Sequence, residues 1–353
     1  MDGVVTGMMR TRRGFLTLWT SGIGLVLLVA AGCDSGGGTA STEPGTSAES
    51  AAATSSGTGG TGSGEELTVA VIPKGLTHVF WQSCKAGAEK AGEEFGVSIK
   101  WDGPQKESDT SGQIAVVENA ITSKVDGIVL APLDKAALVG VIEKATAAEI
   151  PLTIFDSAAD TEEYVSFVAT DNRKGGEMAA MRMGELLGGK GKVAIIPVFP
   201  NSASTGDRED GFEETIKAKF PGITVVRSNY GNSDRAKSLQ VTEDVLAANP
   251  DIVGIFGPNE TSIVGALQAC KNKNLIGKVQ LVGFDSTKQL VEAMEKGEID
   301  SLVVQNPFKM GYEGVKTIVD LKAGRTPERR IDTGVVLATK ENRNDPEVSD
   351  LLK

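Results

Sequence analysis

From residue 67 onward, short and nearly all-apolar runs alternate with longer amphipathic stretches, and this alternation constrains the fold more than any other feature of the chain. The runs lie at 67–72, 97–101, 127–131, 152–155, 165–169, 193–196, 223–226, 252–256, 279–282 and 302–304. Between them, helical spacing marks 80–95, 114–123, 174–187, 208–219, 235–248, 261–273 and 310–322. A strand that is apolar on both faces must be covered on both faces, and strands linked through helices form parallel sheets with helices packed on either side. Two such sheets fit a chain of 353 residues.

Composition narrows the function. The formal charge of -11 leaves nothing to offset repulsion from phosphates, which argues against a nucleic-acid partner. One histidine and three cysteines are too few for a zinc centre or a disulfide framework, so no metal and no cofactor is expected. The sequence contains no H-E-x-x-H, no G-x-S-x-G and no complete G-x-x-x-x-G-K-[ST].

Residues 1–32 read as an address. Arg12 and Arg13, followed by Phe15 and Leu16, form a basic segment that resembles a twin-arginine export motif, and the apolar run at 23–31 is too short to span a bilayer comfortably. Ala30, Ala31 and Gly32 precede Cys33 in the pattern of a bacterial lipobox, which predicts lipidation at Cys33. Residues 33–65 are then the lipidated Cys followed by a Gly/Ser/Thr linker, without the large apolar side chains that would offset the entropy of ordering. The expected protein is exported to the cell envelope and held at a membrane by its N-terminal lipid.

In open α/β sheets, ligands bind beyond the carboxyl ends of the strands. The residues there are polar hydrogen-bonding groups: Lys74, Asp156, Asn259, Asp285 and Gln305. Phe80 and Trp81 open the first helix at the same edge. Sugars suit this set, because their C–H faces stack on aromatic rings while their hydroxyls pair with carboxylates, amides and guanidinium. Each residue also has a plainer reading. Phe80 and Trp81 fit helix core, Asp156, Asp285 and Asn259 fit helix N-caps, and Arg208 and Lys74 fit solvated charges. His78 fits the rim of a cleft, and Cys84 and Cys270 fit small buried apolar groups.

The motifs Pro73-Lys74, Phe80-Trp81, Phe155-Asp156-Ser157, Thr170-Asp171-Asn172, Arg208-Glu209-Asp210-Gly211-Phe212, Pro258-Asn259-Glu260 and Gly283-Phe284-Asp285 resemble those of the type I periplasmic sugar-binding proteins of ABC importers. The resemblance runs from about residue 67 to the C-terminus. By motif, the ribose-binding branch places its ligand residues on Phe80, Trp81, Asp156, Arg208, Asn259, Asp285 and Gln305. That branch has an Arg where Ser157 stands here, and a stacking Phe in its second lobe that finds no aligned aromatic in residues 230–233. Pro73-Lys74 and residues 101–104 look more like the rhamnose and autoinducer-two branch, and on that basis Lys74 and Pro258 join the ligand set.

The resemblance implies two Rossmann-like lobes joined by a three-segment hinge, with lobe 1 at 66–170 plus 306–333 and lobe 2 at 171–305 plus 334–353. It implies a monomer that is not an enzyme, binds a neutral monosaccharide or related polyol, and works with an ABC permease and its ATPase subunit. Three other readings stand beside it. A membrane-tethered sensor would present its ligand to a receptor kinase. A glycosidase would use Asp156 and Asp285 as an acid/base pair. A sugar-responsive repressor has the same core, but would carry an N-terminal helix-turn-helix in place of the leader and linker.

Overall fold

The computed structural model describes residues 67–352. The expected leader, Cys33 and the linker lie outside the described residues. β1 (Thr68–Ile72), α1 (Val79–Phe95), β2 (Ser98–Trp101), α2 (Thr110–Thr122), β3 (Gly127–Leu130), α3 (Val139–Ala147), β4 (Leu152–Phe155) and β5 (Phe167–Ala169) come first. They are followed by α4 (Asn172–Leu186), β6 (Lys190–Ile195), α5 (Ala203–Lys219), β7 (Gly222–Arg227), α6 (Arg235–Ala248), β8 (Ile252–Phe256), α7 (Glu260–Asn272), β9 (Gln280–Phe284), α8 (Lys288–Glu295) and β10 (Ser301–Gln305). The described chain ends with α9 (Pro307–Lys322), β11 (Arg330–Asp332), β12 (Val335–Thr339) and α10 (Pro346–Ser349).

These elements build two α/β lobes. One sheet has the order β11-β5-β4-β3-β1-β2 and is parallel throughout. The other has the order β12-β10-β9-β8-β6-β7 and is parallel except for β12, which runs antiparallel along β10 from Ser301↔Thr339 to Gln305↔Val335. Alternate residues of each strand serve opposite faces. In β1, Val69 and Val71 pack with α1 and α9, whereas Ala70 and Ile72 pack with α2 and α3. Each fully buried Val or Ile of this kind contributes roughly 1.5–3 kcal/mol, and the two-sided burial is why the strands read as continuous apolar runs.

Three segments connect the sheets. The chain leaves the first sheet after β5, returns after β10, and crosses again between β11 and β12 through Thr333 and Gly334. All three lie where the strands of both sheets end, so the carboxyl edges of the two sheets face a common cleft.

Some elements were not among the sequence runs. β11 is a three-residue edge strand with exposed Arg330 and Asp332, and β12 is mostly half-buried, so neither gives an apolar signal. α3 has Leu138 at its N-cap position and so no side-chain cap, and α8 has only eight residues. α5 begins at Ala203, which puts Arg208 in its second turn instead of just inside its start.

Candidate ligand-binding site

In the first lobe, β1 runs through Pro73 to Lys74, whose Nζ lies 3.0 Å from Asp156 Oδ2. Asp156 directly follows β4 and holds φ at 61°, a left-handed conformation that Asp tolerates better than most residues and that turns its carboxylate into the cleft. Both side chains are buried. Phe80 and Trp81, in the first turn of α1, meet edge to face at 4.8 Å, and Trp81 meets Phe155 in the same way at 6.0 Å. The core and pocket readings of Trp81 both hold, since it joins the hydrophobic cluster beneath α1 and also lines the cleft.

In the second lobe, Arg208 is the centre of the network. Its Nε donates to Asn172 Oδ1 at 2.9 Å, its Nη1 to the Pro258 carbonyl at 3.0 Å and its Nη2 to Gln305 Oε1 at 3.0 Å. The guanidinium lies 3.8 Å over the Phe284 ring. Gln305 Nε2 donates to Asp285 Oδ1 at 2.6 Å, and Asp285 Oδ2 accepts the Glu260 backbone N–H at 2.9 Å. Burial disfavours the Arg208 cation and is opposed by the carboxylates of Asp285 and Asp156. Burial likewise lifts the Asp285 carboxyl above its usual range, against the pull of Arg208. The planar fork satisfies three acceptors at once while keeping one face on an aromatic ring, a geometry that Lys lacks.

Asn259 caps a helix, as one of its two readings had it, and also lines the cavity. Its Oδ1 caps α7 by accepting from Ser262 N at 3.0 Å, and its Nδ2 donates to Ser233 Oγ at 3.1 Å. Asp156 and Asp285 cap no helix of their own.

Eight of the nine sequence-selected residues, Lys74, Phe80, Trp81, Asp156, Arg208, Asn259, Asp285 and Gln305, line one cavity of about 360 Å³ of atom-free space. Pro258 is not in the lining and serves Arg208 through its carbonyl. The cavity is also lined by His78, Glu107, Ser204, Thr205 and Glu260. Reading the residues past the ends of β2 and β6 would have found Glu107 and Ser204, because the same carboxyl-edge rule applies there. Glu107 Oε1 accepts from His78 Nδ1 at 2.8 Å and from Trp81 Nε1 at 2.6 Å. Burial works against its charge, but His78 and Lys74 together with the Trp81 N–H bring the carboxyl down to about 2. Burial lowers the His78 pKa, and the Glu107 hydrogen bond and charge outweigh that and raise it above 6.5. Thr205 Oγ1 and Glu260 Oε2 are buried without a partner.

The lobes touch across the cleft. Lys74 Nζ donates to Ser204 Oγ at 2.9 Å, Ser204 N donates to Ser157 Oγ at 3.1 Å, and Ser233 Oγ donates to Glu107 Oε2 at 2.7 Å. Cys84 and Cys270 are free, buried thiols whose pKa values are pushed up by burial.

Residues 69–326 match the periplasmic binding protein domain family. The ribose import binding protein RbsB of Bacillus subtilis (strain 168) is 30% identical over 281 residues, covering 79% of this chain and 90% of that protein. The D-allose-binding periplasmic protein of Escherichia coli (strain K12) is 33% identical over 265 residues, covering 72% of this chain and 85% of that protein. An ABC transporter solute binding protein from Agrobacterium vitis, solved with bound D-fucose, superposes with a TM-score of 0.79 at 39% identity, covering 81% of this chain and 100% of that one. A carbohydrate transporter solute binding protein from Agrobacterium radiobacter, solved with D-arabinose, gives a TM-score of 0.79 at 37% identity, with 82% and 99% covered. The chain belongs to the type I periplasmic sugar-binding proteins of ABC importers.

Proposed function

We propose that this member of the family is a substrate-binding lipoprotein that takes up one neutral monosaccharide or related polyol between two closing lobes and delivers it, unaltered, to a membrane permease. The observation that carries this reading is the cavity itself, lined from both lobes by paired charges and amides. Lys74 is matched by Asp156, and Arg208 by Gln305 and Asp285, so the wall attracts no particular ion and instead presents donors and acceptors to hydroxyl groups. The unpartnered Thr205 Oγ1 and Glu260 Oε2 are two further groups for ligand hydroxyls, since buried polar atoms are costly unless bonded. Phe80 and Trp81 supply the apolar surface for a ring face. The cavity is small and lined from both lobes, which limits its occupant to one small molecule.

The relatives bind sugars of this size: ribose, allose, D-arabinose and D-fucose appear in their descriptions. A thermal-shift panel of pentoses, hexoses, deoxyhexoses, polyols, amino acids and anions tests the reading. The expected result is stabilisation by one sugar or polyol with a Kd on the order of micromolar or below, about -8 kcal/mol. Arg208→Ala should weaken that binding by about 2–5 kcal/mol, because it strands buried acceptors. Shifts confined to amino acids or anions would overturn the assignment.

Lobe 1 comprises 66–170 and 306–333 and lobe 2 comprises 171–305 and 334–353 in this reading. Cys33 carries the membrane anchor, because a diacylglycerol with an amide-linked chain holds a membrane where a single acyl chain does not. Palmitate labelling should disappear in Cys33→Ser, and labelling that survives the substitution excludes the anchor.

A further inference from the structure

Past one end of the ligand cavity lies a larger space of about 1390 Å³, open to solvent, between Lys106 and Ser108 of the first lobe and Asn232, Asp234 and Lys237 of the second. Two residues line both spaces, His78 and Glu107. Resting on the sugar-binding reading above, we propose that Glu107 is a specificity-determining residue: with His78 and Ser233 it forms the wall that ends the cavity, limits the ligand to one sugar ring and latches the lobes over it.

The hydrogen bonds of Glu107 account for both duties. Oε1 holds His78 Nδ1 and Trp81 Nε1, so the carboxylate fixes the aromatic floor of the cavity from the side. Oε2 accepts from Ser233 Oγ, which belongs to the opposite lobe. Ser233 Oγ in turn accepts from Asn259 Nδ2, so a chain of donors runs from a cavity-lining amide through Ser233 to the wall. A carboxylate offers about four lone-pair sites. Three are taken here, which leaves one for a ligand hydroxyl reaching that end.

Ser233 is held in place at a cost. It and Asn232 have φ values of 49° and 55°, in the left-handed region that non-glycine residues seldom occupy. The turn after β7 is thus bent so that a hydroxyl, and not a ring, reaches the cleft. Tyr230, in the same segment, is 41% exposed and lies outside the lining.

A ligand longer than one ring would have to push Glu107 aside to enter the outer space, breaking three hydrogen bonds and leaving the donors of His78, Trp81 and Ser233 unpaired in a half-closed wall. The wall therefore rejects substituents at whichever ring position points toward Glu107, and removing it joins the two spaces.

Calorimetry and stopped-flow tryptophan fluorescence on the full chain test this. The probes are D-ribose, D-arabinose, D-allose and D-fucose, each with its set of mono-O-methyl derivatives. The expected wild type binds at least one free sugar and rejects methylation at several positions. Glu107→Ala should release the free sugar at least tenfold faster and should regain binding of the derivative methylated at one position, while the other derivatives stay rejected. Ser233→Ala and Glu107→Gln, which keep the wall's bulk, should speed release without admitting that derivative, and they carry the test if Glu107→Ala does not fold. Release within twofold of wild type in all three variants, with no derivative admitted, overturns the wall and latch alone. A wild type that binds none of the free sugars overturns the sugar reading, and the proposal with it.

Discussion

At the residue scale, the site was legible where polar residues follow apolar runs and hidden where the same residue type does two things. Asp285 and Asp156 stand out in the sequence because a carboxylate directly after a buried strand has few reasons to be there. Asn259 was ambiguous as sequence and remains double in the structure, because one end of its amide caps α7 while the other reaches Ser233. Glu107 gave a weaker signal, since it sits six residues after β2 in a polar loop where the carboxyl-edge rule marks the loop as a whole, and only the fold singles it out by bringing it against His78 and Trp81. Its folded carboxyl lies at about 2, below the ordinary 4.5, so its charge favours the folded state fully above about pH 4.5 and progressively less as the pH falls toward 2. The full contribution is about 3 kcal/mol. Unfolding free energies of wild type and Glu107→Gln should therefore differ most near neutrality and converge in acid. A difference that does not change with pH would contradict the His78–Glu107 pairing.

At the element scale, each lobe joins two helices through glycines where their backbones meet. A Cβ on Gly87 of α1 would sit 1.9 Å from the Phe308 carbonyl oxygen, and one on Gly311 of α9 would sit 1.9 Å from that of Cys84. The second lobe repeats the device, with Gly176 of α4 against the Arg208 carbonyl oxygen at 2.0 Å and Gly211 of α5 against that of Arg173 at 2.3 Å. These helices carry Phe80, Trp81 and Arg208, so the close crossing sets how far these side chains project into the cleft. Gly176→Ala should cost about 1–3 kcal/mol of stability by overpacking and weaken sugar binding by shifting Arg208. Gly140→Ala in α3, where a Cβ meets nothing within 4 Å, is the control and should be neutral or stabilising by up to about 1 kcal/mol. Equal stability and binding in the two variants would show that the crossing does not position Arg208. None of these contacts is readable from spacing, because a glycine in a helix looks the same whether or not another backbone lies against it. The strands and long helices were readable, because two-sided burial writes itself into composition. The polar edge strand β11 and the half-buried β12 were not.

At the scale of the whole molecule, the cleft, the three crossings and the candidate ligand groups lie together. Gln305 ends β10 at a crossing and joins Arg208 to Asp285, so the same amide touches the hinge and the cavity. Short connecting segments can absorb the dihedral change of closing while both cores stay packed. Shifting the lobes from about 1:99 to 99:1 closed requires about 5.5 kcal/mol of preference for the closed form, and a sugar held from both lobes can supply it. The central claim is that the ligand closes the molecule. It is tested most directly by the distance between labels on cysteines placed at Lys106 and Ala236, on opposite sides of the cleft mouth, with Cys33 replaced by Ser and Cys84 and Cys270 buried. Closure predicts a longer distance without sugar that collapses to one short distance at saturating sugar. The same distance distribution with and without bound sugar would contradict it.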